Sequence, residues 1–384
     1  MMKTIRFGII GGGLMGREFA SAAARWCHLL QMDARPELVA VCDATPEPLR
    51  WFTENFAGIK QATNDYKELL ANPAVDAVYI AVPHNLHEKL YGAAIEAGKH
   101  LMGEKPFGIN LAANQAILAV LARHPQCFAR CSSEFPFFPA MQRMGRMIER
   151  AEFGTILEVN ASFQHSSDLD PNKPMNWKRT VAANGEYGCL GDLGLHSLHM
   201  PLRAGWVPRN VRAILTRVFT HRPGRDGKPT PCETWDNATL LCETADPVTG
   251  ATFPLTIKTQ RIAPGEKNSW NFEVLGTRRS ARFSTKQANT IQLLDYSGGE
   301  QPWQHLDMGH EMTFPTITGG IFESGFSDVI VQMWASFVSE LVHRKTPGKF
   351  AGCITPQETH LHHKILTAAL ESHRSATVVK VDPD

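Results

Sequence analysis

The spacing of hydrophobic residues changes once along the chain, near residue 131. Before that point, short continuous apolar runs such as 77–82 alternate with stretches of helical spacing. A continuous apolar run is typical of a parallel strand that is buried on both faces. Alternation of such strands with helices predicts a doubly wound parallel sheet. The predicted strands are 4–10, 38–43, 77–82, 100–106 with its turn, and 127–131, and the predicted helices are 17–24, 47–56, 66–72, 87–98 and 112–124.

Beyond residue 131, apolar and polar residues alternate with a period of two. This period describes strands of an antiparallel sheet with one covered face and one more polar face. Pro254 interrupts one strand and predicts a bulge or an edge. We therefore predict an α/β domain over 1–131 and an α+β domain with an open, mainly antiparallel sheet over 132–384. The alternating segments are 157–163, 253–257 and 270–274, the predicted loops 221–235 and 297–320, and the predicted helices 326–343 and 356–373.

The first predicted strand ends in a glycine-rich turn with the spacing G-x-G-x-x-G, at Gly11, Gly13 and Gly16. In a Rossmann strand–turn–helix unit, the first glycine permits the tight turn and the second lets a pyrophosphate approach the backbone. The third lets the helix pack against the strand, and the N–H groups of the helix N-terminus then face the phosphates. An ordinary glycine-rich turn is the alternative. The predicted dinucleotide site includes the two residues between the last glycines, Leu14 and Met15.

Asp43 ends the second predicted strand, where a carboxylate accepts hydrogen bonds from an adenosine ribose. It follows Gly16 by 27 residues, slightly more than the usual ~20. No arginine follows Asp43 closely. The sequence therefore predicts NAD as the cofactor rather than NADP.

The composition argues against several classes of partner and location. The 384 residues carry a net charge of +1, which argues against nucleic acid or an anionic membrane as the principal partner. No apolar run approaches the ~20 residues of a membrane span, and the N-terminus has no signal-peptide pattern. Eight cysteines are scattered without a C-x-x-C pair, as expected for reduced thiols. We therefore expect a cytoplasmic protein without a metal.

Lys105 is the first candidate for chemistry. It follows a strand of the parallel sheet at the carboxyl edge, where ligands of such sheets bind. Its ammonium group can lie beside a nicotinamide and a substrate hydroxyl. A surface lysine is the alternative, but Glu104 and Pro106 pin the turn on either side.

Asp192 and His196 form the second candidate, because residues four apart share a face of a helix. A carboxylate that orients an imidazole beside a substrate hydroxyl is a general-base arrangement. His199 lies three residues further along the same side. A plain pair on the helix surface and a metal site built from all three residues are the alternatives.

These motifs together resemble the Gfo/Idh/MocA oxidoreductases, which include glucose-fructose oxidoreductase and inositol dehydrogenases. The resemblance covers essentially the full length and implies two domains, binding of NAD or NADP, and dimers or tetramers formed through the open sheet. By its motifs it implies Lys105, Asp192 and His196 as the catalytic set, with Pro83, His87, Glu104 and Lys105 on the nicotinamide side. The motifs are Gly11-x-Gly13-x-x-Gly16, Pro83-x-x-x-His87, Glu104-Lys105-Pro106 and Gly188-x-x-x-Asp192-x-Gly194-x-His196.

The chain departs from the family pattern where substrate should lie. The segment 133–139 replaces the usual Asn-Tyr-Arg-Phe-like sequence, and Glu186-Tyr187 precedes the aspartate motif where glycines are usual. The polar segment 165–179 carries the cations Lys173, Lys178 and Arg179 beside Trp177. We predict that it forms a pocket wall for an acidic sugar, such as a uronate or a sulfonated sugar, with a solvated loop as the alternative. The predicted substrate-binding residues are Trp177, Lys178, Arg179, Tyr187 and His199.

Three functions fit these residues. The first is an NAD-dependent dehydrogenase for a sugar, a sugar derivative or a polyol, in which His196 removes the hydroxyl proton, Asp192 orients His196 and Lys105 stabilises the alkoxide. The second is a glycoside hydrolase that uses NAD transiently and needs a further base, Tyr187 or His199. The third is a non-catalytic NAD-binding regulator. The ordinary catalytic set of the family favours net dehydrogenation.

The sheet of the second domain also predicts self-association. Its alternating apolar positions, over 155–165 and 250–294, leave a second face to be covered. Because a large exposed apolar patch is uncommon on a stable monomer, we expect a homodimer or homotetramer that acts on a small carbohydrate.

Overall fold

A computed structural model describes residues 2–308, 312–319 and 321–382. By its contacts the chain forms two units, Met1–Phe137 with Met312–Thr359 and Phe138–Glu311 with His360–Asp384. The strands are β1 Lys3–Ile10, β2 Ala34–Cys42, β3 Gln61–Thr63, β4 Ala77–Ile80, β5 His100–Gly103, β6 Ala129–Cys131, β7 Ile156–Gln164, β8 Asn210–Thr216, β9 His221–Pro223, β10 Pro229–Pro231, β11 Asn237–Ala245, β12 Thr252–Gln260, β13 Ser269–Gly276, β14 Arg279–Ser284, β15 Thr290–Asp295, β16 Gln304–Asp307 and β17 Val379–Lys380. The α-helices are α1 Leu14–Ala24, α2 Pro46–Asn55, α3 Tyr66–Ala71, α4 His87–Glu96, α5 Leu111–Arg123, α6 Pro139–Glu149, α7 Val181–Asn184, α8 Cys189–Ala204, α9 Phe326–His343 and α10 Pro356–Ser375.

The first unit is built on a six-stranded parallel sheet in the order β3-β2-β1-β4-β5-β6. Its strands form at the continuous apolar runs, and every side chain of β4 is buried. The strand order reverses between β1 and β4, which creates a ligand-binding crevice at the carboxyl ends of those strands in folds of this kind. The predicted doubly wound parallel sheet is confirmed.

Helix α9 belongs to the first unit, although the sequence analysis placed it in the second domain. Its Trp334 stacks on Phe19 of α1, with ring centroids 3.6 Å apart, and meets Phe7 of β1 edge-on at 5.9 Å. Helical spacing predicts that a helix forms but not which distant segment it packs against. The unit boundaries therefore differ from the single division expected at residue 131.

The second unit contains a nine-stranded sheet in the order β16-β15-β14-β13-β7-β12-β11-β8-β17. The pair β7 and β12 is parallel and the other described neighbours are antiparallel, which confirms an open, mainly antiparallel sheet. Helix α8 packs on the apolar face, where Val159 and Ile257 are fully buried. Pro254 pairs with Glu243 of β11, but pairing with β7 begins only at Leu255, so the proline lies at a local edge.

Two segments that were expected to be loops contain short strands. Within 221–235, β9 and β10 form a two-stranded sheet, and β16 extends the large sheet from within 297–320. Residues 309–311 and 320 of the second segment lie outside the described residues. Strands of three or four residues are too short to show a period in the sequence.

The middle of the open sheet face is polar. Asn160 Nδ2 donates to Glu273 Oε2 at 3.0 Å, and Asn271 Nδ2 donates to Ser162 Oγ at 3.0 Å. Of the alternating apolar residues, Val159, Ile257 and Phe272 are fully buried whereas Leu157 is 53% exposed, so the middle of this face is not the apolar patch that the sequence suggested.

Self-association therefore remains a prediction that rests on the family resemblance. We expect small-angle scattering at micromolar protein concentration to give the mass of a dimer or a tetramer. The mass of a single chain would contradict the prediction.

Candidate functional site

The turn after β1 has the backbone geometry that a dinucleotide site requires. Gly11 has a φ of +104°, and a Cβ atom there would lie 2.2 Å from the carbonyl oxygen of Ala81. A Cβ atom at Gly16 would lie 2.2 Å from the Gly11 oxygen, so α1 can approach β1 only without that side chain. Gly13 faces open space, since a Cβ atom there meets nothing within 4 Å. Among the described residues no side chain caps α1, which leaves its N-terminal N–H groups for a phosphate.

The carboxylate of Asp43 lies beside this turn. Its Oδ2 accepts a hydrogen bond from the N–H of Gly12 at 2.8 Å, and its Oδ1 accepts the N–H and the hydroxyl of Thr45 at 2.9 and 3.0 Å. Asp43 thus holds the glycine turn against the end of β2, while Oδ2 keeps a lone pair for a ribose hydroxyl. The open approach at Gly13 and this carboxylate fit a dinucleotide with a free 2′-hydroxyl.

His87 lies inside the first unit. The ring is fully buried, stacks on Tyr91 at 4.7 Å and places Nε2 3.1 Å from the carbonyl oxygen of Val82. The N–H of Gly108 points to Nδ1 at 3.5 Å, which assigns the ring proton to Nε2. His87 thus holds the turn that begins at the half-buried Pro83. The direct nicotinamide contact implied for His87 is not supported by this burial.

Glu104 anchors the turn that carries Lys105. Its Oε1 accepts the hydroxyls of Tyr79 at 2.5 Å and Ser132 at 2.7 Å, and its carbonyl oxygen accepts the hydroxyl of Tyr91 at 2.7 Å. Glu104 is only 7% exposed, so its hydrogen bonds stabilise this turn from the protein interior. Lys105 follows it, half-buried, at the carboxyl edge of the parallel sheet.

Glu134 is a titratable residue that the sequence analysis did not single out. The side chain is buried, and burial raises its pKa to about 7, with the charge of Glu104 adding to the rise and Lys105 opposing it. Its charge therefore changes near neutral pH. The available signal was a carboxylate within the aromatic segment 133–139.

Asp192 and His196 share one buried face of α8. The Asp192 Oδ2 lies 2.5 Å from Arg261 Nη2 and 3.1 Å from Lys178 Nζ, so two cations hold this carboxylate. The His196 ring packs edge-on against Phe163 of β7, with centroids 5.4 Å apart. Asp192 and His196 thus lie on one helix face, as their spacing predicted. Ion pairs fix the position of the Asp192 carboxylate.

Arg261 is a second residue that the sequence analysis missed. It directly follows β12, is buried, and places Nη1 3.8 Å from Asp168 Oδ2 in addition to its bond to Asp192. Burial opposes the ionisation of Asp168, but Lys173, Arg179 and Arg261 together hold its pKa below the usual value. The available signal was a single cation at the end of an alternating strand.

Arg179, which the sequence predicted to face an anionic substrate, lies in the interior of the second unit. Its guanidinium is fully buried, lies 2.7 Å from Asp168 Oδ2 and donates to Asp236 Oδ1. Arg179 neutralises two buried carboxylates. Trp177 and Lys178 stay half-exposed, with the Lys178 ammonium 5.5 Å from the Trp177 ring centre.

Tyr187 and His199, which the sequence predicted to contact the substrate, are both buried. Tyr187 is 3% exposed, and its hydroxyl is hydrogen-bonded to Thr367 Oγ1 at 2.6 Å. His199 is buried, and within the described part of the chain neither of its ring nitrogens has a hydrogen-bond partner. Burial keeps its pKa well below the usual value, so the imidazole is neutral.

The polar segment 165–179 forms part of the wall of a cavity of about 180 Å³. Lys178 and Arg261, the two cations that hold Asp192, both line it. Burial lowers the pKa of His165, another lining residue, to about 4, with the charge of Arg261 adding to the effect. The second unit therefore offers one small polar cavity next to the fixed carboxylate.

Two further findings concern ions and bilayers. In residues 2–308, 312–319 and 321–382, no group of three or more His, Cys, Asp or Glu side chains is arranged to hold a metal ion. Over the same ranges no helix combines the length and the apolar character needed to cross a bilayer.

Family comparisons cover most of the chain. Residues 5–130 match the oxidoreductase family with an NAD-binding Rossmann fold, named GFO_IDH_MocA. Residues 141–282 match the GFO/IDH/MocA C-terminal domain. The two matches fall on the two kinds of sheet described above.

Several relatives are dehydrogenases. A levoglucosan dehydrogenase of Pseudarthrobacter phenanthrenivorans is 26% identical over 306 residues, 76% of each chain. A glucose-6-phosphate 3-dehydrogenase of Bacillus subtilis is 24% identical over 293 residues, 76% of this chain and 77% of its own. The structure of a levoglucosan dehydrogenase in complex with NADH superposes with a TM-score of 0.86 at 23% identity, over 99% of this chain and 100% of the other, and shows the same fold.

Proposed function

The chain belongs to the Gfo/Idh/MocA oxidoreductase family, with an NAD-binding Rossmann domain, and from that premise we propose that it is an NAD-dependent dehydrogenase of a sugar or polyol hydroxyl. Two relatives named for sugar substrates support the substrate class. The observation that carries the proposal is the carboxylate of Asp192, fixed by Arg261 and Lys178 on the helix face that also bears His196.

We assign three roles in the reaction. His196 accepts the proton of the substrate hydroxyl as general base. The Asp192 carboxylate stabilises the positive charge that forms on His196. Arg261 and Lys178 hold this carboxylate in position. Lys105 stabilises the developing alkoxide with its ammonium group.

The cofactor would be held by the first unit. The backbone at Gly11, Gly13 and Gly16 and the N-terminus of α1 would bind the pyrophosphate, and Asp43 would bind the ribose. When bound, NAD supplies the acceptor for the hydride that leaves the substrate carbon.

The first test is turnover. Purified protein is mixed with NAD and a panel of sugars and polyols, and reduced cofactor is followed by absorbance. We expect NADH to accumulate with at least one sugar, and we expect Lys105→Ala to bind NAD but to lose turnover. A panel that gives no NADH at any substrate concentration, although NAD binds, would instead favour the non-catalytic regulator.

The Asp43 carboxylate should make the protein select NAD over NADP. A 2′-phosphate would lie against this carboxylate, so we expect NAD to bind at least about tenfold more tightly. Asp43→Asn keeps an oxygen that can accept the Gly12 hydrogen bond but removes the charge. It should therefore reduce the difference in affinity between NAD and NADP. Calorimetric titration with both cofactors measures it, and tighter binding of NADP by the unaltered protein would contradict the assignment.

The glycoside hydrolase alternative gains no support from the site. That cycle needs a further base, and the sequence offered Tyr187 and His199. The Tyr187 hydroxyl is bonded to Thr367 within the second unit, and His199 is buried. We therefore assign no proton transfer to either side chain.

A further inference from the structure

The cavity in the second unit has an unusual lining. Three cations, Lys173, Lys178 and Arg261, line it together with one carboxylate, that of Asp168. The fifth titratable lining group, His165, is neutral at physiological pH because its pKa is about 4. A cavity with this lining is positively charged.

The ion pairs behind the cavity do not remove this charge. Each cation is paired, but the carboxylates are shared, since Asp168 alone meets Lys173, Arg179 and Arg261. The connected network has four cations, Lys173, Lys178, Arg179 and Arg261, and three carboxylates, Asp168, Asp192 and Asp236. Among the described residues these ion pairs join one more cation than carboxylates, and the Lys173 and Lys178 side chains are 38% and 36% exposed beside the cavity.

A neighbouring guanidinium adds to this excess. Arg222 is 2% exposed and donates to three main-chain carbonyl oxygens, those of Asp168, Asp170 and Lys173. These carbonyls accept from Nη1 and Nη2 but carry no net charge, and Nε has no hydrogen-bond partner among the described residues. An anion bound in the cavity would offset this excess of positive charge.

Arg261 also has an unused donor. The side chain is 1% exposed, and its Nε has no hydrogen-bond partner among the described residues. A buried donor without a partner costs free energy unless a ligand or water satisfies it. Arg261 lines the cavity, so an oxygen bound there can supply the missing acceptor.

We propose that this cavity binds an anionic group of the substrate, a carboxylate, phosphate or sulfonate carried on the sugar. This proposal rests on the proposed function, which supplies the premise that the bound molecule is a sugar substrate. Lys173 and Arg261 meet the anion, and the half-exposed ring of Trp177, also in the lining, covers the adjoining sugar face. The site thus selects acidic sugars through residues other than Arg179, whose guanidinium is buried.

Equilibrium binding tests this without turnover. The protein is saturated with NADH, so that no oxidation occurs, and titrated in a calorimeter with D-glucuronate, D-glucose 6-phosphate and D-glucose. Three proteins are compared, the unaltered chain, Lys173→Gln and the control Lys228→Gln. Lys173 contacts Asp168, which keeps Arg179 and Arg261 when the lysine is lost, whereas the Lys228 side chain is 83% exposed in the hairpin of β9 and β10.

We expect at least one of the two acidic sugars to bind about tenfold or more tightly than glucose, and Lys173→Gln to weaken that binding about tenfold with glucose unchanged. Lys228→Gln should change neither. Equal affinity of all three sugars, or an equal loss for acidic and neutral sugars in Lys173→Gln, would overturn the anion site. Discrimination in binding without NADH formation from any sugar would refute the dehydrogenase and leave the anion site standing.

Discussion

Arg179→Ala should destabilise the protein by about 3–5 kcal/mol, because it leaves Asp168 and Asp236 without the guanidinium that meets both. Arg179 is fully buried, and without it the Asp236 carboxylate keeps the uncharged main-chain N–H donors of Val218 and Phe219. Arg179→Lys keeps the charge but cannot reach two carboxylates with one planar group, and should cost less. Urea unfolding at constant pH, with the free energy extrapolated to water, gives both values.

Arg225→Ala is the matched control, since Arg225 is exposed in the hairpin between β9 and β10 and should change stability by less than about 0.5 kcal/mol. The sequence alone suggested the opposite behaviour for Arg179, a loss of activity confined to anionic substrates. If Arg179→Ala left the free energy of unfolding unchanged while raising KM for acidic sugars alone, the buried role assigned to Arg179 would be refuted.

His196→Ala should lower kcat by about 10²–10⁴-fold, the usual contribution of a positioned general base. The imidazole packs edge-on against Phe163 on a helix whose Asp192 is held by other residues, so the helix should persist without it. NAD affinity should stay the same, because the glycine turn lies in the first unit. The rate of NADH formation by the purified variant measures kcat. NAD titration and thermal unfolding of the same variant show whether a lower kcat reflects a lost catalytic step or a misfolded protein.

Two comparisons make the His196 result specific. Added imidazole should restore part of the activity of His196→Ala, since a free base can enter the space left by the ring. His221→Ala, at an exposed position in β9, should have no effect. A His196→Ala enzyme with kcat within about threefold of the unaltered protein would refute the general-base assignment.

The sequence predicted those parts of the fold that depend on local spacing. The glycine turn could be recognised because steric limits at Gly11 and Gly16 leave no other residue that fits. The two kinds of sheet could be recognised because burial on one or two faces sets the period of apolar residues. The packing of α9 on α1 could not, since Trp334 and Phe19 are distant in the sequence and meet only in the folded unit.

The candidate site was only partly predictable for a related reason. The spacing of Asp192 and His196 is a local property of a helix, whereas the pairing of Asp192 with Arg261 joins a helix to a strand end. Within the segment 165–179 the sequence showed cations but not their burial. Arg179 turns inward to Asp236, which lies on another segment, while Lys178 lines the cavity.

Net dehydrogenation is the central claim, and the ratio of reduced cofactor to released leaving group tests it most directly. The protein is given NAD and a panel of nitrophenyl glycosides and free sugars in deuterated water, and NADH, nitrophenol and deuterium in the sugar are measured together. We predict that NADH accumulates in step with oxidised sugar, without nitrophenol in excess and without deuterium beside the oxidised carbon. Nitrophenol released in excess of NADH, with deuterium at that carbon, would contradict the dehydrogenase and establish redox-neutral glycoside cleavage.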